Sequence, residues 1–309
     1  MLKFAFSNVA CPDWTLDKVV EQAAAWGYDG VELRTFGPDG GGLASDPAQQ
    51  EPDHIRKVFE QAGLEPVCVS TSAALHHSEQ SAAFRARQTS LDAIRLAAAI
   101  GCRRIRLFGN EAVPGQNRQM VLQQVASATA HLLETASENG VEVLFENAGS
   151  FNRAKEWWWL LNLVNHPLVG MCWNVANAAA AGESSGVSVP CLNSRIHLAK
   201  VKDTSVGEGS GFMPLGEGTV GIESFIKRLR GIGFDGAVSV EWDRLWFPAL
   251  ADAENVLPDA LARLKGWAVE DDGGKKKGFG DAEPMNKELQ KLLAAAEKNR
   301  EGEAVDTAG

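Results

Sequence analysis

Residues 15–34 read TLDKVVEQAAAWGYDGVELR, and the fold is decided there. Leu16, Val19, Val20 and Ala23 recur at helical spacing and share one face, and Thr15 stands where an N-cap side chain can take up a free N–H of the first turn. Gly27 then occupies the position of a left-handed helix stop. The next run, DGVELR (29–34), is short and β-rich and ends in two charged residues. Helix, glycine and strand together make one unit, with apolar surface on the helix and on the strand that must be buried against something.

The unit recurs. Strands are expected at 3–7 (KFAFS), 29–34, 65–71 (EPVCVST), 103–108 (RRIRLF), 141–146 (VEVLFE), 168–173 (LVGMCW), 195–201 and 236–241 (GAVSVE), with helix-patterned sequence between them. Gly63, Gly101, Gly140 and Gly233 repeat the position of Gly27. Eight alternating units predict a (β/α)8 TIM barrel over residues 1–268, within the size such barrels reach as one domain, about 250 residues. An open doubly wound sheet is the alternative, but no GxGxxG follows the first strand and eight strands favour closure.

Beyond the barrel the texture changes. Residues 269–309 carry charge runs and glycines, then Leu289, Leu292 and Leu293 at helical spacing before a polar end. A C-terminal tail is expected, a charged, glycine-rich linker and a short helical or disordered segment, loosely attached to the barrel or disordered, with a partner-binding helix as the alternative.

The 309 residues are 45% hydrophobic and 23% charged, with a net charge of −10, which argues against a nucleic-acid partner and for a small-molecule ligand. Five cysteines, at 11, 68, 102, 172 and 191, have no CxxC spacing, so reduced thiols are expected. No apolar run reaches the ~18 residues a bilayer span needs, and MLKFAFS enters a strand at once, without the pattern of a leader. The expected setting is cytoplasmic, without membrane contact.

In a barrel of this kind the active site gathers at the C-terminal ends of the strands. Those ends carry Glu32 and Arg34, Asn110, Glu146 and Asn147, Asn174 and Asn177, Lys200 and Asp203, and Glu241 and Asp243. Glu146 and Glu241, each ending an apolar strand, are expected to face one another across the mouth. Two carboxylates so placed suit the removal and return of a proton beside a carbonyl, and a cation is expected between them. Salt bridges to loops are the bland alternative. By strict alternation in IHLAKVKD (196–203), Lys200 points into the mouth and His197 outward against the helices. PLGEGTVG (214–221) offers helix N–H groups to a phosphate, or is simply a tight turn. Trp242 and Trp246 are expected to wall the pocket, whereas the EWWWLL run (156–161) is expected to pack between helices or subunits.

With these residues in place, the chain resembles the sugar phosphate isomerase/epimerase family of xylose isomerase-like barrels over residues 1–268. The resemblance rests on GYDGVELR (27–34), VLFEN (143–147), GMCWNVANAAAAGE (170–183), IHLAKVKD, the segment from PLGEGTVG to GIGFDG (214–236), and AVSVEWDRLWFP (237–248). It implies a divalent metal (Mn, Mg, Zn or Co) held by a Glu ending strand 5, an Asp opening the strand-6 loop, a His three residues before the acidic residue of strand 7, and a Glu ending strand 8. The matching positions here are Glu146, Asn174, Lys200 and Glu241, so two ligands persist, with Asn174 as a poor third, and metal is expected to be weakly held or absent. A further family His is Asn177, and where a related subfamily reads E-W-E-K-x-W-H-P this chain has Asp243, Arg244 and Phe247.

Three readings follow. The first is an isomerase or epimerase acting on a sugar or polyol derivative through Glu146 and Glu241, with Lys200 stabilising enediolate charge. The second is a non-catalytic sugar-binding or partner-subunit barrel, and the third a lyase or dehydratase acting on a keto-sugar or inosose. Substrate contacts are expected from Glu32, Arg34, Asn110, Asn147, Asn177, Asp203, Trp242 and Trp246. A homo-oligomer stays open, and an apurinic endonuclease is disfavoured because none of the six histidines stands at a matching strand end.

Overall fold

The computed structural model describes residues 2–38, 40–108, 111–112, 115–205 and 211–269. Asn110 and the expected tail beyond Val269 lie outside the described residues. Eight strands close into one parallel barrel: β1 (Lys3–Ser7), β2 (Gly30–Arg34), β3 (Glu65–Ser70), β4 (Arg104–Leu107), β5 (Glu142–Glu146), β6 (Val169–Asn174), β7 (Ile196–Val201) and β8 (Ala237–Val240), with β8 paired back to β1. Each observed strand lies within one or two residues of its expected span.

The opening stretch folds as its sequence requires. Helix α1 (Leu16–Trp26) begins where Thr15 Oγ1 accepts from Lys18 N, and stops at Gly27, whose φ of +83° lets its N–H reach the carbonyls of Ala23 and Ala24. It is followed around the ring by α2 (Pro52–Ala62), α3 (Gln80–Ala99), α4 (Arg118–Ala130), α5 (Leu133–Asn139), α6 (Ala154–Val164), α7 (Val175–Ala180), α8 (Ser185–Leu192), α9 (Ile222–Gly231) and α10 (Ala253–Ala268). No helix among the described residues is long and apolar enough to cross a membrane.

The larger apolar core lies between strands and helices and buries, among others, Phe6, Leu33, Phe145, Trp157, Trp173 and Phe225, each worth about 1.5–3 kcal/mol by transfer. Inside the barrel a small plug of Ala5, Val67, Cys68, Leu144, Cys172, Leu198 and Ala237 separates two polar ends. In the aromatic run of α6, Trp157 is buried and Trp158 is 44% exposed, so one helix face enters the core and the next residue leaves it.

His197 departs from the alternation expected of β7. Met171 pairs with Ile196 while Cys172 pairs with Leu198, so β7 carries one extra residue at His197, a bulge. Ile196 faces the helices and Leu198 the barrel interior. The imidazole therefore turns inward at the N-terminal end of the barrel, where Nδ1 lies 3.2 Å from Glu142 Oε2, which also accepts from Arg104 Nε at 3.0 Å. Gly170 makes room: a Cβ there would lie 2.7 Å from the ring.

Gly170→Ala is expected to lower stability in urea unfolding by about 1–3 kcal/mol through overpacking, and His197→Ala in the same chain to restore most of the loss. Equal losses with and without His197 would contradict this packing.

Candidate active site

Above the apolar plug, the interior positions of the strands carry charge. Lys200 is 1% exposed, and its Nζ lies 2.6 Å from Glu241 Oε1, 3.2 Å from Glu32 Oε1 and 3.5 Å from Glu146 Oε2. Glu32 is held further by Ser70 Oγ and Ser239 Oγ, each donating at 2.6 Å. Arg106 Nε approaches Glu146 Oε2 at 3.0 Å without hydrogen-bond alignment, so that neither atom has a hydrogen-bond partner, while Arg106 Nη1 donates to Thr71 O. Burial opposes charge on every one of these groups, yet the opposed ions outweigh it: Glu32 and Glu241 are held below the ordinary carboxylate range and Lys200 well above its own.

Asn174 ties the layer together. Its Nδ2 donates to Glu146 Oε1 at 2.9 Å and to Glu241 Oε2 at 3.1 Å, while its Oδ1 caps α7 by accepting from Ala176 N and Asn177 N. Asn147 binds the backbone N–H and C=O of Asn174, and Asn177 Nδ2 donates to Asn147 O. The three asparagines thus brace the ends of β5 and β6 against one another.

A second layer lies nearer solvent. Lys202 Nζ bridges Glu241 Oε2 at 3.0 Å and Asp243 Oδ2 at 3.1 Å, and it stands 5.7 Å from the ring centre of Phe212. The side chains of Lys202, Glu241 and Asp243 are 18%, 10% and 8% exposed, against 3% or less for Lys200, Glu146 and Glu32. Burial and the neighbouring Glu241 push the Asp243 carboxyl up to about 6.

Other expected contacts are engaged elsewhere. Asp203 accepts from the N–H groups of Gly216, Gly218 and Val220, so the loop 214–221 spends these amides on a carboxylate of its own chain rather than presenting them to a phosphate. Trp242 is buried with its indole N–H on Ala251 O, whereas Trp246 is 46% exposed. Phe212 belongs to a two-stranded ribbon, Asp203–Thr204 with Phe212–Met213, and packs against Trp242 and Phe247. Arg106 and Lys202 enter the constellation unexpectedly, and Asp243, expected only as a residue at the end of the last strand, is drawn in by Lys202. Arg106 was legible in principle, because in RRIRLF two arginines alternate with apolar residues, which places charge on one face of a buried strand.

The family model of the xylose isomerase-like TIM barrel matches residues 20–267. The chain belongs to the xylose isomerase-like TIM barrel family. Among solved structures, this xylose isomerase-like barrel is similar to the IolI protein with a bound zinc atom (TM-score 0.75, 16% identity, 87% of this chain and 100% of that one). It is similar also to an L-ribulose 3-epimerase (0.73, 16%, 87% and 95%) and to the probable 3-DHS dehydratase AsbF of Bacillus anthracis (0.70, 18%, 85% and 99%). At these identities the likeness is one of fold. No curated protein sequence matches the chain.

The residues of this xylose isomerase-like barrel do not fit a divalent metal at the positions the family uses. An ammonium donates into the space between Glu32, Glu146 and Glu241, and Asn174 presents its amide N–H groups to both strand-end glutamates while its carbonyl faces a helix. Among the described residues no group of three or more His, Cys, Asp or Glu side chains is arranged to hold a metal ion. A cation at this point would meet N–H donors of like polarity.

Lys200→Met should cost about 3–5 kcal/mol at pH 7, because it leaves three buried carboxylates facing one another. The depressed Glu32 and Glu241 stabilise the wild type above their ordinary value of 4.5, and that contribution is lost as pH falls through their lowered folded-state values. In the variant the carboxylates bind protons more readily, so the gap between the two unfolding curves should narrow from pH 7 to pH 4. A gap constant with pH would contradict the pairing.

Proposed function

We propose that this barrel moves a proton beside the carbonyl of a sugar or polyol derivative, as an isomerase or epimerase, with its own ammonium as the fixed cation of the site. The observation that carries this reading is the layering. A sealed set of Lys200, Glu32, Glu146 and Asn174 underlies an outer set, Lys202, Glu241 and Asp243, whose side chains are 18%, 10% and 8% exposed.

Each outer group has a role that its surroundings suit. Asp243, with a carboxyl near 6, exists in both protonation states close to neutrality and is the group matched to taking a proton from carbon and returning it. The electron pair released moves onto the carbonyl oxygen and makes an enediolate. Lys202 spends two N–H bonds on Glu241 and Asp243, and its third is available to that oxygen. Glu241, held strongly ionised by Lys200 and Lys202, is a weak base; its part is to fix Lys202 and to keep Asp243 from ionising early. Lys200, its pKa raised by the facing glutamates, stays protonated, which disfavours a Schiff base. Glu146 and Lys200 act as the field beneath the substrate rather than as groups touching it. Return of the proton by Asp243 to the neighbouring carbon, with a proton passing between the two oxygens of the enediolate, gives the isomer; an epimer forms when solvent water delivers the proton to the opposite face of the original carbon. The names of the structural neighbours, an epimerase and a probable dehydratase, belong to chemistry of this proton-abstraction type.

The test is solvent deuterium wash-in on ketoses and inososes, followed by mass spectrometry and NMR. Exchange at the carbon beside the carbonyl is expected, increasing with pH through about 6 as Asp243 ionises, and Asp243→Asn should lower it about 10²–10⁴-fold while sugar binding persists. Sugar binding with no exchange on any compound would replace this reading by that of a non-catalytic sugar-binding barrel.

A further inference from the structure

We propose that Phe212 is a positioning residue of the outer layer, its ring fixing the Lys202 ammonium at the point from which that group meets the substrate oxygen; this rests on the proton-transfer reading above and adds a residue to it. Lys202 carries its charge on a long flexible stem, and its side chain is 18% exposed, so it has a freedom that the sealed Lys200 lacks. The two carboxylates it bridges, Glu241 at 3.0 Å and Asp243 at 3.1 Å, both come from the segment just past β8. They take two of its N–H bonds and leave the third to sugar or to water. A further contact comes from a different segment. The Phe212 ring centre lies 5.7 Å from Lys202 Nζ, within the range over which an ammonium is drawn to an aromatic face.

Phe212 is itself held through two segments. In the ribbon it pairs with Thr204, two residues beyond Lys202, and there Ser205 N donates to Gly211 O at 3.2 Å while Gly211 N donates to Ser205 Oγ at 3.1 Å. Its half-buried ring meets Trp242 edge-on, with centres 6.3 Å apart, and Phe247 at 5.1 Å. Trp242 stands between Glu241 and Asp243 in the chain and is anchored by its indole N–H on Ala251 O. The ring therefore ties the segment that carries the ammonium to the segment that carries both carboxylates. Without it the ammonium loses one attraction and gains water as a competitor, and the stem regains rotamers in which Glu241 and Asp243 are still paired. Misplacing a donor that must meet charge developing on oxygen costs rate rather than affinity.

Two measurements test this, the first without substrate. In protein carrying isotope-labelled lysine, the ε-methylene signal of Lys202, assigned by its loss in Lys202→Arg, should sit under the ring current of Phe212 and move downfield in Phe212→Leu, while that of Lys18, which lies over Trp14, stays in place as a control. The second is the deuterium wash-in with kcat and KM separated. Phe212→Leu, which keeps the apolar bulk and hence the packing but loses the ring, should lower kcat for exchange about 5–30-fold with KM unchanged within about twofold. Phe212→Tyr, which keeps the ring, should hold kcat within about threefold of the wild type. A Lys202 signal that does not move, a Leu variant with wild-type kcat or a loss confined to KM, or a Tyr variant as impaired as the Leu one would overturn the proposal. A Lys202 signal that moves, with no exchange on any compound in the wild type, would overturn the proton-transfer reading and the positioning role with it, while the contact between ring and ammonium stood.

Discussion

A lysine ammonium that is 1% exposed must be neutralised where it lies, and the C-terminal end of this barrel is organised around that requirement. Glu32 on β2, Glu146 on β5 and Glu241 just past β8 converge on Lys200; Ser239 and Asn174 donate to the carboxylate oxygens that the lysine does not contact, and Ser70 adds a second donor to Glu32 Oε1. Glu32, Ser70, Glu146, Asn174, Lys200, Ser239 and Glu241 come from β2, β3, β5, β6, β7, β8 and the residue just past β8, so the network also fixes the mutual register of the barrel. Remove the ammonium, and like charges face one another in a low-dielectric space; remove a glutamate, and the lysine is partly uncovered.

The layering that follows separates duties usually combined in one set of residues. The inner layer is sealed from solvent, and the outer layer, with side chains 8–18% exposed, lies nearer the barrel mouth; in the proposed reading the first supplies a fixed field and the second the groups that meet the ligand. Lys202 joins the two through Glu241, and the carboxyl of Asp243, raised by burial and by that same glutamate, is where the field becomes chemically useful. Arg34 and Arg106 extend the arrangement toward β2 and β4, with aromatic rings rather than carboxylates as part of their cover.

The barrel was legible because its cause is local and repeated: eight short strands alternate with amphipathic helices, five of the junctions carry a glycine stop (Gly27, Gly63, Gly101, Gly140 and Gly233), and each piece can be recognised in isolation. Glu146, Glu241 and Lys200 were legible for a similar reason, since each is a charged residue at or near the end of an apolar strand. His197 was not, because one extra residue in β7 breaks the alternation on which the reading depended, and a bulge leaves no mark in composition. Asp203 and Trp242 look like site residues by position, and only the fold shows that loop amides and Ala251 O occupy them.

The central claim is that Lys200 supplies the positive charge that a metal would otherwise bring. Metal content of protein purified without chelator, measured alongside the unfolding temperature before and after EDTA, tests it directly. Far less than one equivalent of Mn, Mg, Zn or Co and an unchanged unfolding temperature are predicted. One tightly held equivalent, whose removal by EDTA lowers the unfolding temperature of the wild type, would contradict the account.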